Sequence, residues 1–140
     1  MKRWITKSDD ETRAVGREIA AMLPPDALIY LSGDLGAGKT TLVRSIAEAV
    51  GCDPAEVASP SFALVHEYPR RDDTNVIHVD GYRLSEHPHE WMEIGIDDLL
   101  RGPGIKFVEW PKRQFDELAE AWGVIRMTVQ DDESRVIELE

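Results

Sequence analysis

Ala27-Leu28-Ile29-Tyr30-Leu31-Ser32-Gly33-Asp34-Leu35-Gly36-Ala37-Gly38-Lys39-Thr40-Thr41 changes character twice within a short span. Residues 27–31 form an unbroken apolar run, the pattern of a strand buried on both faces. Residues 33–40 match G-x-x-x-x-G-K-[ST] in full. From Thr40 to Val50 the apolar residues Leu42, Val43, Ile46, Ala47 and Val50 recur at helical spacing, and Gly51 stands where a helix ends in a left-handed residue. Strand, glycine-rich turn and helix in direct succession form the core unit of an α/β domain. The turn's glycines permit backbone dihedrals closed to other residues and let an anion approach closely. Its N–H groups form a concave anion nest, and the helix behind adds its positive end. In such a cradle Lys39 reaches the β- and γ-phosphates and the Thr40 hydroxyl ligates Mg²⁺. The competing reading is a glycine turn that only caps a helix; the strand before it and the helix after it favour the cradle.

Working outward, Ser8 and Glu11 form a capping box that opens a helix through about Met22. Val15, Ile19, Ala20 and Leu23 lie on one face of it, and Pro24-Pro25 ends it. Downstream, residues 52–61 read as an irregular loop, Phe62–Tyr68 as a strand, 71–75 as a turn and Asn75–Val79 as an apolar strand ending at Asp80. Residues 88–100 predict a helix in one or two pieces broken near Gly95, and Ile105–Val108 a strand ending at Glu109. Residues 112–121 predict a short helix; Gly123–Val129 and Arg135–Leu139 predict a closing hairpin around Asp131-Asp132-Glu133. The expected architecture is a single α/β domain over residues 1–140, a nucleotide-binding-type mixed sheet flanked by helices.

The 140 residues are 42% apolar, enough for one packed core. One cysteine, Cys52, leaves no internal disulfide to form. Residues 1–11 turn polar too soon for a signal peptide, and no apolar run is long enough to span a membrane, so a cytoplasmic protein is expected. A formal net charge of −11 argues against a self-sufficient nucleic-acid binder, whose affinity depends on Lys and Arg neutralising phosphate. The basic spots Arg70-Arg71 and Lys112-Arg113 read as a turn and a solvated helix face.

A phosphate cradle needs an acidic group to support its metal. Asp80 and Glu109 each end an apolar strand, and ligands of open α/β sheets sit beyond the carboxyl ends of the strands. If both strands run parallel to 27–31, both carboxylates face the phosphates; otherwise they are ordinary strand-end acids. Ser59-Pro60-Ser61 reads equally as a phosphate-sensing loop or as a hydroxyl-capped turn. His87, His89 and Glu90 lack a second cluster to complete a metal site, and Trp91, Trp110 and Trp122 read as core or partial-core aromatics.

Taken in order, Gly33 to Thr41, Ser59-Pro60-Ser61-Phe62, His78-Val79-Asp80-Gly81-Tyr82-Arg83 and Glu109-Trp110-Pro111 resemble the TsaE (YjeE) family. Asp10-Glu11-Thr12, Gly16, Glu90 and Gly95-Ile96 extend the resemblance over residues 8–111. It implies an ATPase that works with the TsaB–TsaD pair in threonylcarbamoyladenosine synthesis at adenosine 37 of ANN-decoding tRNAs. It implies that ATP and Mg²⁺ are bound, tRNA being met only through the complex, and that hydrolysis resets the assembly. By the same resemblance Lys39 binds phosphates, Thr40 and Glu109 hold Mg²⁺, and Asp80 positions or activates the attacking water. Gly33, Asp34, Leu35, Gly36, Ala37, Gly38, Lys39, Thr40 and Thr41 line the phosphates. Gly81, Tyr82, Arg83 and Trp110 flank the nucleotide, with Thr12 near the adenine. The chain departs from the family pattern at Ser61, where threonine is usual, and at Gly81, where leucine is usual.

Two other functions fit a phosphate cradle. A small-molecule kinase needs a second pocket and an arginine-bearing lid, for which Arg44, Arg70, Arg71 and Arg101 are unclustered candidates. A non-catalytic nucleotide-gated module would bind ATP without hydrolysis.

Overall fold

The structure is a computed structural model, described here for residues 1–33, 37–53, 65–70, 75–80, 95–109 and 121–140. Strands β1 (Lys2–Thr6), β2 (Leu28–Gly33), β3 (Val65–Pro69), β4 (Asn75–Asp80), β5 (Ile105–Glu109), β6 (Gly123–Val129) and β7 (Arg135–Leu139) form one sheet in the order β1-β7-β6-β2-β5-β4-β3. The central pairs β6·β2, β2·β5 and β5·β4 are parallel; β1·β7, β7·β6 and β4·β3 are antiparallel. The sheet is mixed because the hairpins sit at its margins. Helices α1 (Asp9–Met22) and α2 (Lys39–Ala49) pack on one face, and the short α3 (Ile96–Arg101) contributes Leu100 to the other.

Each helix starts and stops for local reasons. Ser8 Oγ accepts the Glu11 N–H at 3.1 Å, a donor that α1 leaves open, and Glu11 Oε2 accepts the Lys7 N–H at 3.2 Å, which ties the chain just ahead of the cap. At the far end of α2, Cys52 N–H donates to Ala47 O at 2.9 Å and Gly51 N–H to Glu48 O at 3.2 Å. This is a Schellman ending, with Gly51 at φ 109°. Arg70, expected only as part of a basic turn, donates from Nε to Val50 O at 2.8 Å and so satisfies a further carbonyl there. Val15 and Ile19 of α1 and Leu42, Val43 and Ile46 of α2 bury against Ile29, Leu31, Phe107 and Ile125 of the sheet. Each such side chain stabilises the fold by about 1.5–3 kcal/mol. The two helices approach so closely that a Cβ at Gly16 would collide with Ser45 Oγ.

Two expectations change. Residues 2–6, for which no element is expected, form the edge strand β1; its register with β7 runs Lys2↔Leu139 to Thr6↔Arg135, and Trp4 Nε1 donates to Glu18 Oε2 at 2.7 Å. Charged residues of an edge strand face solvent, which hides the period-two pattern. Trp122, read as a core or partial-core aromatic, is 39% exposed. It holds the chain by its backbone instead, donating to Leu28 O at 2.8 Å. Residues 88–94 and 112–120 of the expected helices, 54–61 of the expected loop, 62–64 of the expected strand and 71–74 of the expected turn lie outside the described residues. Among the described residues no helix is long and apolar enough to cross a membrane.

Candidate functional site

Parallel pairing puts the ends of β2, β5 and β4 on one edge. Leu31 registers with Glu109, and Asp80 with Glu109. The two strand-end acids are therefore neighbours along the edge from which the glycine-rich turn leaves β2. Gly33, the last residue of β2, fits because it has no side chain: a Cβ there would stand 2.6 Å from Met127 O of β6. Gly38 is the N-cap of α2, at φ 95° and ψ 19°, a left-handed conformation that favours glycine. Ala37 is fully buried.

Lys39 and Glu109 converge. Lys39 Nζ donates to Gly33 O at 2.8 Å and stands 4.0 Å from Glu109 Oε1. Both side chains are almost buried, 10% and 13% exposed. On the other side of the carboxylate, His78 Nε2 is 3.1 Å from Oε2. His78 is 2% exposed, and neither ring nitrogen has an aligned hydrogen bond among the described residues, so the contact is an electrostatic one off the hydrogen-bond line. Burial alone would raise the Glu109 pKa, but His78 and then Lys39 outweigh it, and the carboxyl titrates below its ordinary range. Tyr68 of β3 is buried, which raises its phenol, and the negative charge of Glu109 adds to that rise.

Thr40 and Thr41 occupy the first turn of α2. Thr41 borders a small polar cleft between α1 and α2 shared with Arg13, Arg44, Ser45 and Glu48. Thr12 is 4% exposed on α1, its Oγ1 2.9 Å from Thr6 Oγ1, so its hydroxyl bonds α1 to β1. Asp34, Leu35, Gly36, Gly81, Tyr82, Arg83 and Trp110 lie outside the described residues, as do Ser59-Pro60-Ser61, His87, His89, Glu90 and Trp91. Asp80 is described by its backbone register alone. Among the described residues no group of three or more His, Cys, Asp and Glu converges as a metal cage.

Two site residues escaped sequence reasoning about roles. His78 had a signal: it is a titratable residue inside the apolar run Val76–Val79, two positions before Asp80. Arg135 had none. It lies 98 residues from its partner, and its Nε donates to Ala37 O at 3.1 Å.

A mixed seven-stranded α/β sheet, with a strand–glycine turn–helix unit leaving the carboxyl edge beside a nearly buried lysine–carboxylate pair, is the class that this fold and site define. The family model described as "Threonylcarbamoyl adenosine biosynthesis protein TsaE" matches residues 6–137. The chain belongs to the TsaE family. It is 33% identical over 135 residues to the tRNA threonylcarbamoyladenosine biosynthesis protein TsaE of Bacillus subtilis, covering 96% of this chain and 82% of that one. To the protein of the same name from Streptomyces coelicolor it is 39% identical over 109 residues, 77% of this chain and 72% of that one. Among solved structures, the crystal structure of Bacillus subtilis YdiB is similar, with a TM-score of 0.73 and 29% identity, covering 97% of this chain and 82% of that one.

Proposed function

We propose that this chain is the ATP-binding and hydrolysing subunit of tRNA threonylcarbamoyladenosine synthesis, acting with TsaB and TsaD. The pathway is the one that the relatives' names carry. The observation that supports the chemistry is the convergence of Lys39 and Glu109 at the carboxyl edge, with Asp80 next to Glu109 in register.

The donor set fits a hard divalent cation. Glu109 is held ionised at neutral pH, and Thr40 offers a hydroxyl at the first turn of α2. Magnesium prefers oxygen donors and takes only one or two carboxylates, with waters and phosphate oxygens completing its shell. Bound there, it would neutralise charge on the phosphates during transfer to water. Lys39 would turn from Gly33 O and Glu109 to the β- and γ-phosphates. The turn's amides and the N-terminus of α2 would hold the phosphate oxygens, and Asp80 would orient the attacking water. Fixing water and phosphate in line supplies most of what such a reaction needs. With a net charge of −11, the chain suits a subunit that leaves tRNA to its partners.

The test is to deplete the protein and measure threonylcarbamoyladenosine in bulk tRNA by mass spectrometry. The modification is expected to fall; unchanged modification rejects the pathway. With the purified chain and labelled ATP, free phosphate is expected, released slowly and at a rate altered by TsaB–TsaD. A phosphorylated metabolite formed from cell extract would favour a kinase instead.

A further inference from the structure

The β6–β7 hairpin, which in the sequence only closes the sheet, reaches the glycine-rich turn at two points. Met127 of β6 registers with Gly33, and its Cε lies 3.5 Å from where a Gly38 side chain would begin. Arg135, the first residue of β7, donates from Nε to Ala37 O at 3.1 Å. We propose that Arg135 is a positioning residue for the bound phosphates, acting by fixing the peptide unit between Ala37 and Gly38.

The argument rests on the geometry of one peptide bond. The unit is planar and trans, so the Ala37 carbonyl and the Gly38 N–H point in opposite directions. Holding the carbonyl toward the hairpin turns the amide away from it, as a donor to a ligand seated over the start of α2. Gly38 cannot hold that direction by itself. Glycine lacks the steric limits that confine other residues, so the peptide beside it needs a restraint from outside. Arg135 suits the task because its own base is fixed. The tight turn before it is tied by Gln130 N–H to Ser134 O at 2.8 Å, Glu133 N–H to Gln130 O at 2.9 Å and Ser134 Oγ to Asp132 Oδ1 at 2.6 Å. A planar guanidinium also gives up less freedom per hydrogen bond than a flexible ammonium. The bond is part-buried, where its loss costs more than at an open surface.

The proposal rests on the ATP-binding reading above and adds to it a residue outside the glycine-rich motif. The test is calorimetric titration of a non-hydrolysable ATP analogue with Mg²⁺ into the full chain. Wild type is compared with Arg135→Met, Arg135→Lys and Arg126→Met, each also followed by thermal unfolding without nucleotide. Arg126 is an exposed arginine on the same hairpin, opposite Ser32 in register, whose guanidinium pairs with Glu140 at 2.9 Å. Arg135→Met is expected to raise Kd about tenfold at a temperature where the variant remains folded. Arg126→Met is expected to leave Kd unchanged. A wild-type Kd in Arg135→Met, or an equal weakening in Arg126→Met, overturns the proposal. Should Arg135→Met fail to fold, Arg135→Lys decides. A Kd raised about threefold or more with unaltered melting supports positioning, and an unaltered Kd rejects it. The underlying reading fails separately, if wild type takes up no analogue or if Lys39→Ala binds it as wild type does.

Discussion

His78 Nε2 and Glu109 Oε2 stand 3.1 Å apart, and the histidine that makes this contact is 2% exposed on the strand next to the glutamate's own. The approach is therefore set by strand pairing rather than by flexible side chains: His78 registers with Phe107, and Asp80 with Glu109. A buried group behind a carboxylate fixes where its oxygens point, and outer partners of this kind commonly change metal affinity or activity by about 10–100-fold when removed. His78→Ala is expected to raise the Mg²⁺ concentration for half-maximal ATP turnover about tenfold, within that range. Metal titrations of phosphate release measure it; a variant with the wild-type Mg²⁺ dependence would show that the contact does not orient Glu109.

Glu109 and Asp80 should separate by kinetic signature. Glu109→Gln keeps the shape of the side chain and removes the charge that faces Lys39 at 4.0 Å. Its loss should weaken Mg²⁺ and lower turnover together. Asp80→Asn is expected to lower kcat about 100-fold with little change in the affinity for ATP, as for a group that orients water rather than holds the ligand. Normal turnover in both variants would remove the roles assigned to them.

The strand–turn–helix unit and the closing hairpin were legible because their patterns are local. The apolar run before Gly33, the helical spacing after Thr40 and the capping box at Ser8 each report on a few neighbouring residues. The hairpin boundaries Gly123–Val129 and Arg135–Leu139 match those expected from alternation and a polar turn. Edge strand β1 was not legible, since its identity comes from pairing with β7 at the other end of the chain. The same holds for the site. Lys39 and Glu109 could be named from motif and strand end, but the brace from Arg135 is a contact across 98 residues that no spacing encodes. Long-range contacts of this kind exist only once the sheet order is known.

Gly16 tests the seam between α1 and α2. A Cβ there would stand 2.9 Å from Ser45 Cβ and closer still to its Oγ, and Ser45 Oγ already donates to Leu42 O at 2.8 Å. Gly16→Ala gains helix propensity but must push the helices apart, a net loss of about 1–3 kcal/mol. Combining it with Ser45→Gly removes the obstructing atoms. Urea unfolding of the two single variants and the double variant should therefore be non-additive, with the double variant more stable than the sum predicts. Strict additivity would mean that the seam relaxes without cost.

Lys106 carries the clearest pH dependence of the fold. It is 2% exposed on β5, between Leu28 and Ile77 in register, and its Nζ donates to Gly102 O at 2.6 Å. Burial pushes its ammonium below the ordinary lysine value, and the negative charge of Asp26 offsets this only in part. In the window between its folded pKa and the ordinary value near 10.5, the unfolded chain binds the proton that the folded chain has given up. Stability should therefore gain from this group as pH rises through that window, and the buried charge should cost stability below it. Lys106→Met removes the titration while keeping most of the apolar stem. Denaturant unfolding at a series of pH values rising toward 10.5 is expected to show the advantage of Lys106→Met over wild type shrinking as pH increases. An advantage that stays constant across the range would show that the Gly102 carbonyl and Asp26 fully compensate the burial of the ammonium.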